Sequence, residues 1–510
     1  MLLVHPPLTK PCEPPAALAY LAATLAAHDI PCTIRDMNIE ALHALLKTTE
    51  SPEDTWSKRA FKHLDENISA LRTGEIYHNG DRYRRAVADI NRVLEMAGKR
   101  FGLLLSLANY QDDGKSPLKS SDLRLAAEQY AANIFFFYFS NRLEELLETD
   151  GSRHIGFSLN YLSQALCTFA MIGYLKAHHP KVRITLGGGL VTTWLSQPRW
   201  SNPFAGLVDH LIGGRGEGPL LNLLGARMKS GHIRPAYEML KDNSYLSPGF
   251  ILPYAGSFGC FWKKCSFCPE TSEDNPYQQV VPEATVADLQ ALTAATSPAL
   301  IHLLDNAVNP ATLKALADEP PKVPWYGFAR IDSLLGDREF CRRLKESGCR
   351  MLKLGLESGD QAVLNSMHKG INLKLAARVL ENLHDAGIAT YVYLLFGTPA
   401  ESSGEAERTL RFVEDHHQAI GFLNLAIFNL PAGSQEVANL EVADFYQGDL
   451  SIYRSFTHPK GWNRGEVRRF LDNTFKRSDK IGVILRRDPP FFTSNHAPFM
   501  TVGPVESILR

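Results

Sequence analysis

The sequence predicts an α/β protein of several domains: an N-terminal parallel sheet with a helical insertion, a (β/α)6 partial barrel, and a C-terminal extension. Three observations predict it. The chain has 510 residues, too many for one hydrophobic core. Short apolar runs alternate with longer amphipathic stretches in two separate regions, the pattern of parallel sheets covered by helices. A charged, helix-forming stretch at about 41–147 interrupts the first of these regions.

Taken in order, residues 2–4 form a short apolar strand stopped by Pro6 and Pro7, since proline gives a sheet no N–H. An Ala/Leu-rich helix follows at 16–27 and a second strand at 32–35. After the insertion, strands at 154–159, 182–186 and 207–212 resume the alternation, with a helix at 163–178 between the first two. The domain reads as 1–228, with a linker at 229–250. From 251 the alternation begins again, with strands at 251–255, 300–304, 325–329, 351–356, 390–396 and 423–428. Helices at 338–347 and 373–386 stop at Gly348 and Gly387, a helix-ending residue type. In the second, Leu375, Ala376, Val379, Leu380 and Leu383 share one face. Six such units over 251–430 suggest a full or partial TIM barrel, where chemistry sits at the carboxyl ends of the strands. The remainder, 431–510, is an extension rich in Phe, Pro, Arg and Asn.

Composition narrows the function. Lys+Arg 54 against Asp+Glu 55 gives a net charge of −1, which argues against bulk binding to nucleic acid or an anionic membrane. No apolar run reaches membrane-spanning length, and the first residues do not read as a signal peptide. Five of the eight cysteines (Cys12, Cys32, Cys167, Cys341 and Cys349) are scattered, which fits a reducing cytoplasm rather than a disulfide framework.

The other three, Cys260, Cys265 and Cys268, are spaced C-x4-C-x2-C just after the first barrel strand. Three thiolates can hold three irons of a 4Fe-4S cluster and leave the fourth open to a ligand. A zinc site is an alternative, but zinc wants four ligands, and the nearest further candidates are His232 and His302. Three buried structural thiols are the other alternative. Three within nine positions, beside Lys263 and Lys264, do not form a packing pattern.

Phe267 between the last two cysteines, and the string from Gly355-Leu356-Glu357-Ser358-Gly359 to Met367, carry a resemblance. Over roughly 250–430 the chain resembles the radical S-adenosylmethionine (SAM) superfamily, in the branch with an N-terminal cobalamin-binding domain. The superfamily's usual spacing is C-x3-C-x2-C. The extra residue here is expected to bulge the loop without removing a ligand. The resemblance implies a 4Fe-4S cluster on Cys260, Cys265 and Cys268, with SAM chelated by the open iron and cleaved to a 5′-deoxyadenosyl radical. It implies that Asp305 holds the methionyl amino group, that Arg330 pairs with the SAM carboxylate, and that Glu357 accepts from the ribose hydroxyls or the amino group. Ion pairs at a barrel rim are the alternative for each. Gly397-Thr398-Pro399 would approach the adenine, or is a plain turn.

The N-terminal region resembles a Rossmann-like cobalamin-binding domain. Ser158, and Gly187, Gly188 and Gly189, occupy the places that line the slot for the nucleotide tail. Gly216-Glu217-Gly218 is also typical of the branch. The lower-ligand motif D-x-H-x-x-G is absent, since the chain reads His5-Pro6-Pro7-Leu8-Thr9-Lys10-Pro11 there. His210 reads as an ordinary strand residue. Many members of this branch lack the motif and bind cobalamin without a histidine ligand, and some have a cobalamin-like domain that binds none.

The expected function is SAM cleavage with cobalamin-dependent methyl transfer to an unactivated centre. Other radical chemistry with a structural cobalamin domain, and a non-enzymatic metal-binding role, are the alternatives. Methylthio-transfer fits less well, because Cys12, Cys32 and Cys167 are too scattered for a second cluster. The expected partners are a small-molecule or peptide substrate and an electron donor such as flavodoxin or ferredoxin. The string 489–499, with Asn495 and His496, is expected either to cover the barrel mouth or to seal an open side of the barrel.

Overall fold

The computed structural model describes residues 1–49, 54–198, 200–229, 231–242, 244–489 and 496–500. The chain divides into two compact units that change over between Phe250 and Ile251.

The first unit is built on a five-stranded parallel sheet. Its spatial order is Thr33–Asp36, Leu2–His5, His154–Ser158, Arg183–Gly187, His210–Ile212. In chain order this is 2-1-3-4-5, the doubly wound arrangement with its switch point between the first and third strands. Every residue of Leu2–His5 is buried, as a central parallel strand requires. The helix Leu162–His178 is buried along most of its length. Gly173 is what lets it pack, because an added Cβ there would lie 2.5 Å from the Ala127 carbonyl carbon.

The insertion is mainly helical, with Met37–Thr48, Gly80–Lys99 and Phe136–Asp150 among its longer helices. It also contains an antiparallel pair, Leu103–Ser106 with Asn109–Asp112, which the sequence reading missed. Leu103 and Leu105 are buried while Leu104 is exposed, and a run of three leucines hides that alternation. The segment expected to be a linker is instead packed. Tyr237, Leu240 and Leu246 are fully buried, the Leu246 N–H donates to the Pro11 carbonyl at 2.7 Å, and the Tyr245 hydroxyl donates to Asp36 at 2.9 Å. Linker composition was a poor guide because those apolar residues find their core only in three dimensions.

The second unit holds six parallel strands in simple chain order: Ile251–Tyr254, Leu300–Leu303, Trp325–Ala329, Cys349–Glu357, Ala389–Phe396 and Phe422–Ile427. Its helices are capped as their sequences dictate. The Asp337 and Asn372 side chains accept from first-turn N–H groups, and Ser402 with Glu405 forms a capping box. Gly348 and Gly387 follow two helices at φ 100° and 72°, left-handed geometry that glycine adopts freely.

The C-terminal extension is not one separate piece. Tyr446–Ile452 belongs to the first unit, where the Leu450 N–H donates to the Leu118 carbonyl at 2.9 Å. The rest joins the barrel as a small antiparallel sheet (Leu430–Pro431, Val442–Asp444, Tyr453–Phe456) and two helices, Arg464–Asn473 and Asp479–Arg486. Residues 490–495, which include Asn495, lie outside the described residues. His496 is 1% exposed and packs 4.5 Å from the rings of Tyr391 and Phe422. Those two rings start the fifth and sixth strands, so His496 sits at the end of the barrel away from the cysteines. For His496 this corrects the expectation of a cover over the mouth. An aromatic-rich string looks the same at either end of a barrel.

Gly188 tests the first sheet. It has φ 114° and ψ 176°, and an added Cβ would lie 2.7 Å from the Leu159 carbonyl carbon. Gly188→Ala is expected to destabilise the protein by about 2–3 kcal/mol, read as a lower urea midpoint, because that backbone region is essentially reserved for glycine. Gly189→Ala, with nothing closer than 3.8 Å, is expected to cost under about 1 kcal/mol.

Candidate active site

The three cysteines lie on the loop that leaves the first barrel strand. A short ladder, Ser257–Phe258 with Gln278–Gln279, closes the base of that loop. The end of the second strand holds it from one side. Asp305 accepts from the Gly256 N–H at 3.0 Å and the Ser257 hydroxyl at 2.6 Å. Asn306 donates to the Gly259 carbonyl at 3.2 Å, and Asn309 to the Tyr277 hydroxyl at 3.1 Å. Asp305 is 2% exposed, and burial pushes its carboxyl up to about 6 against those bonds. Both of its oxygens are engaged within the protein, so in this structure it shapes the turn into the cysteine loop.

The first cysteine gap contains a left-handed residue. Lys263 adopts φ 44°, the left-handed region, and its Nζ bonds Asp274 Oδ1 at 2.6 Å. Cys265 is buried, while Cys260 and Cys268 are partly exposed. Burial raises the Cys265 thiol, with Lys369 and Arg330 opposing, and pushes Cys268 up to about 11. Among the described residues no three Cys, His, Asp or Glu side chains converge as they would on a single ion. A cluster does not require that convergence, since each sulfur binds its own iron. Three thiols on one loop with two cations beside Cys265 suit an anionic iron–sulfur cluster.

Arg330 follows the third strand. It stacks on Trp262 of the cysteine loop, 3.8 Å from the ring centroid, and donates to the carbonyls of Lys369 and Gly370. Glu357 ends the fourth strand at φ 68°, where the ladder to the fifth strand shifts register. A non-glycine residue there is strained, and such strain gathers at functional positions. Its Oε1 bonds Lys369 Nζ at 2.8 Å, and both side chains are about nine-tenths buried. Gly355 makes room for the pair, because an added Cβ would lie 2.6 Å from Glu357 Oε1 and 2.8 Å from Lys369 Nζ. Arg330 and Glu357 therefore lie by the cysteines. The sequence reading missed Trp262 and Lys369. Lys369 lies two residues beyond the string that carried the resemblance, and the string itself gave no reason to extend it.

At the carboxyl ends of the fifth and sixth strands, Gly397 and Phe428 line a cavity of about 210 Å3. The C-terminal extension supplies Phe456, His458, Trp462 and Arg464 to its wall. His458 Nε2 donates to the Thr398 carbonyl at 2.9 Å, while its Nδ1 accepts from two backbone N–H groups. Glu401 accepts from the Gly397 N–H at 2.5 Å and the Trp462 indole at 2.9 Å.

In the first unit, Ser158 is buried and accepts from the Asn160 side chain at 3.0 Å. Asn160 Oδ1 in turn accepts from the Gly189 N–H at 3.0 Å. The loops after the third and fourth strands are thus joined through Ser158, Asn160 and the three glycines. Gly188 is required by its own backbone, as shown above. Gly187 and Gly189 are not crowded in the same way, and Gly189 and Tyr161 are exposed there. His5 ends the first strand at the switch point. Burial holds its imidazole down at about 4, so it is neutral. Exposed Gly189 and Tyr161 leave this rim of the sheet open beside the switch point, where doubly wound sheets take nucleotide-like ligands.

Residues 255–413 match the Radical SAM superfamily. The match runs from the end of the first barrel strand to the helix after the fifth. Among curated relatives, the chain is 23% identical over 238 residues to an uncharacterized methyltransferase of Pyrococcus horikoshii, covering 41% of this chain and 50% of the relative. It is 25% identical over 273 residues to the hopanoid C-3 methylase of Methylococcus capsulatus, covering 47% and 52%. The chain spans about half the length of both relatives. Among solved structures, it resembles the cobalamin-dependent SAM radical enzyme OxsB with aqua-cobalamin bound, at TM-score 0.54 and 14% identity over 76% of this chain and 68% of that one. At that identity the likeness is one of fold, and it extends beyond residues 255–413.

The buried Glu401 carboxyl gives a pH signature. Burial pushes it up to about 7 from an ordinary 4.5, so the folded protein takes up a proton between those values and the unfolded chain does not. Its contribution to stability is full below about 4.5 and is lost as pH rises through 7. Relative to wild type, Glu401→Gln is expected to remove a decline on the order of 3 kcal/mol over that window, measured by urea unfolding at several pH values.

Proposed function

We propose that this protein is a radical SAM enzyme that transfers a methyl group with the help of cobalamin. The observation that carries the proposal is a three-cysteine loop at the carboxyl ends of a radical SAM barrel, with Arg330 and Glu357 beside it. The cluster and cobalamin, when bound, supply electron transfer for SAM cleavage and the methyl group for transfer.

The chain's own residues do the rest. Cys260, Cys265 and Cys268 would hold three irons, and each thiol must lose its proton to do so. Arg330 offers its guanidinium to the SAM carboxylate, and Glu357 accepts from the SAM amino or ribose groups. Asp305 acts one step back, through the turn it fixes. Ser158 and the Gly187–Gly189 loop would take the cobalamin nucleotide tail in the first unit. The cavity at Gly397 and Phe428, walled by the extension, is a place for a small-molecule substrate, screened from water by Phe456 and Trp462. Electrons would come from a flavodoxin- or ferredoxin-type donor in the cytoplasm. Among the described residues no helix is long and apolar enough to cross a membrane.

A second reading keeps the radical chemistry but makes the cobalamin domain structural. The missing D-x-H-x-x-G motif is compatible with it. One set of measurements separates the two. Anaerobically reconstituted protein with dithionite and SAM is expected to release 5′-deoxyadenosine, and serine at any of the three cysteines to abolish that release. Cobalamin absorbance in the purified protein, with S-adenosylhomocysteine formed on turnover, marks methyl transfer. Deoxyadenosine without either would leave the second reading standing, and no deoxyadenosine from wild type would sink both.

A further inference from the structure

Four contacts converge on the cysteine loop from a segment to which no role is yet assigned, Met367–His368–Lys369–Gly370. The Met367 carbonyl accepts from the Ser266 N–H at 3.2 Å, between Cys265 and Cys268. The His368 carbonyl accepts from the Trp262 indole at 3.0 Å, between Cys260 and Cys265. His368 adopts φ 52°, left-handed geometry that is uncommon outside glycine. The Lys369 and Gly370 carbonyls accept from Arg330, which itself stacks on Trp262. Lys369 Nζ lies 5.4 Å from the centroid of Phe267, between Cys265 and Cys268, and bonds Glu357. Gly370 has φ 66°, and an added Cβ would run into the Trp262 ring, 2.6 Å from Cη2 and closer still to Cζ2. Each gap between cysteines is therefore gripped by this one segment.

The longer first gap gives the grip a reason. An extra residue loosens a loop, and ordering it costs conformational entropy. Trp262 lies in that gap and is anchored by an indole hydrogen bond, an arginine stacked on its face and a glycine that admits its ring. The segment restores the order that the extra residue would remove. Lys369 adds charge. Its ammonium faces the Phe267 ring between Cys265 and Cys268, and the Arg330 guanidinium lies on Trp262 between Cys260 and Cys265. Positive charge beside a cluster sulfur favours the reduced, more negative cluster, and an ammonium bonded to Glu357 fixes where that carboxylate points.

We infer that Met367–Gly370 is a clasp that sets the shape of the cysteine loop, and that Lys369 is its positioning residue, holding Glu357 in place and biasing the cluster toward reduction. The charge effect rests on the iron–sulfur reading, whereas the clasp does not.

Two experiments test it. In cluster-free protein at fixed pH, the rate of iodoacetamide labelling at Cys265 is read by peptide mass spectrometry. Gly370→Ala is expected to raise that rate about fivefold in the wild-type background and less than about twofold when Trp262 is already alanine, because ring and Cβ compete for one space. Equal effects in both backgrounds overturn the clasp. In reconstituted protein, Lys369→Met is expected to lower the equilibrium constant for cluster reduction about tenfold, a fall of ~59 mV in midpoint potential, with iron content unchanged and Lys369→Arg close to wild type. An unshifted potential in the methionine variant overturns the role of Lys369. If wild type takes up no four-iron cluster, the proposed function fails, and the labelling experiment still decides the clasp.

Discussion

The buried Asp305 carboxylate is the interaction on which the rest of the site depends. It accepts from Gly256 and Ser257 at the point where the first barrel strand becomes the cysteine loop. That single side chain joins the end of the second strand to the end of the first. The neighbouring Asn306 and Asn309 extend the grip to both ends of the loop. The cost of burying a charge shows in its raised carboxyl, and it is offset by satisfying both oxygens. A carboxylate used in this way sets where three thiols can go before any cofactor arrives.

From that anchor the site grows outward along the barrel in chain order. The third strand delivers Arg330, the fourth delivers Glu357 through a register shift, and the segment after it returns Lys369 against both. The fifth strand ends at Gly397, where Glu401 and His458 tie the C-terminal extension to the barrel through backbone groups. Neighbouring strands in a parallel barrel end on the same rim, so residues over a hundred positions apart in sequence become neighbours there. The first unit follows a similar rule. The carboxyl ends of its first, third and fourth strands bring His5, Ser158 and the Gly187–Gly189 loop to one rim of an open sheet.

Most of the architecture was legible in the chain. The six barrel strands and the glycine-terminated helices follow from apolar period and stop signals, and these are local properties. The cysteine triplet was legible for the same reason, since its meaning lies in its spacing. The leucine hairpin in the insertion was not, because a run of three apolar residues carries no period. The packed segment at 229–250 was not, because Tyr237 and Leu246 resemble linker residues until the surface they cover exists.

By itself the sequence determined that two parallel α/β regions follow one another, that three thiols sit together after one strand, and that the loop between them is one residue longer than usual. Only the tertiary structure decided what each polar residue near those thiols does. It turned Asp305 inward to hold a turn, set Arg330 on the Trp262 ring, and strained Glu357 into the left-handed region against Lys369. It also sent His496 to the far end of the barrel. The reason is physical. Strand identity is encoded within a few residues, whereas the partner of a buried charge is fixed by which strand ends share a rim, and the chain states that only when it is folded.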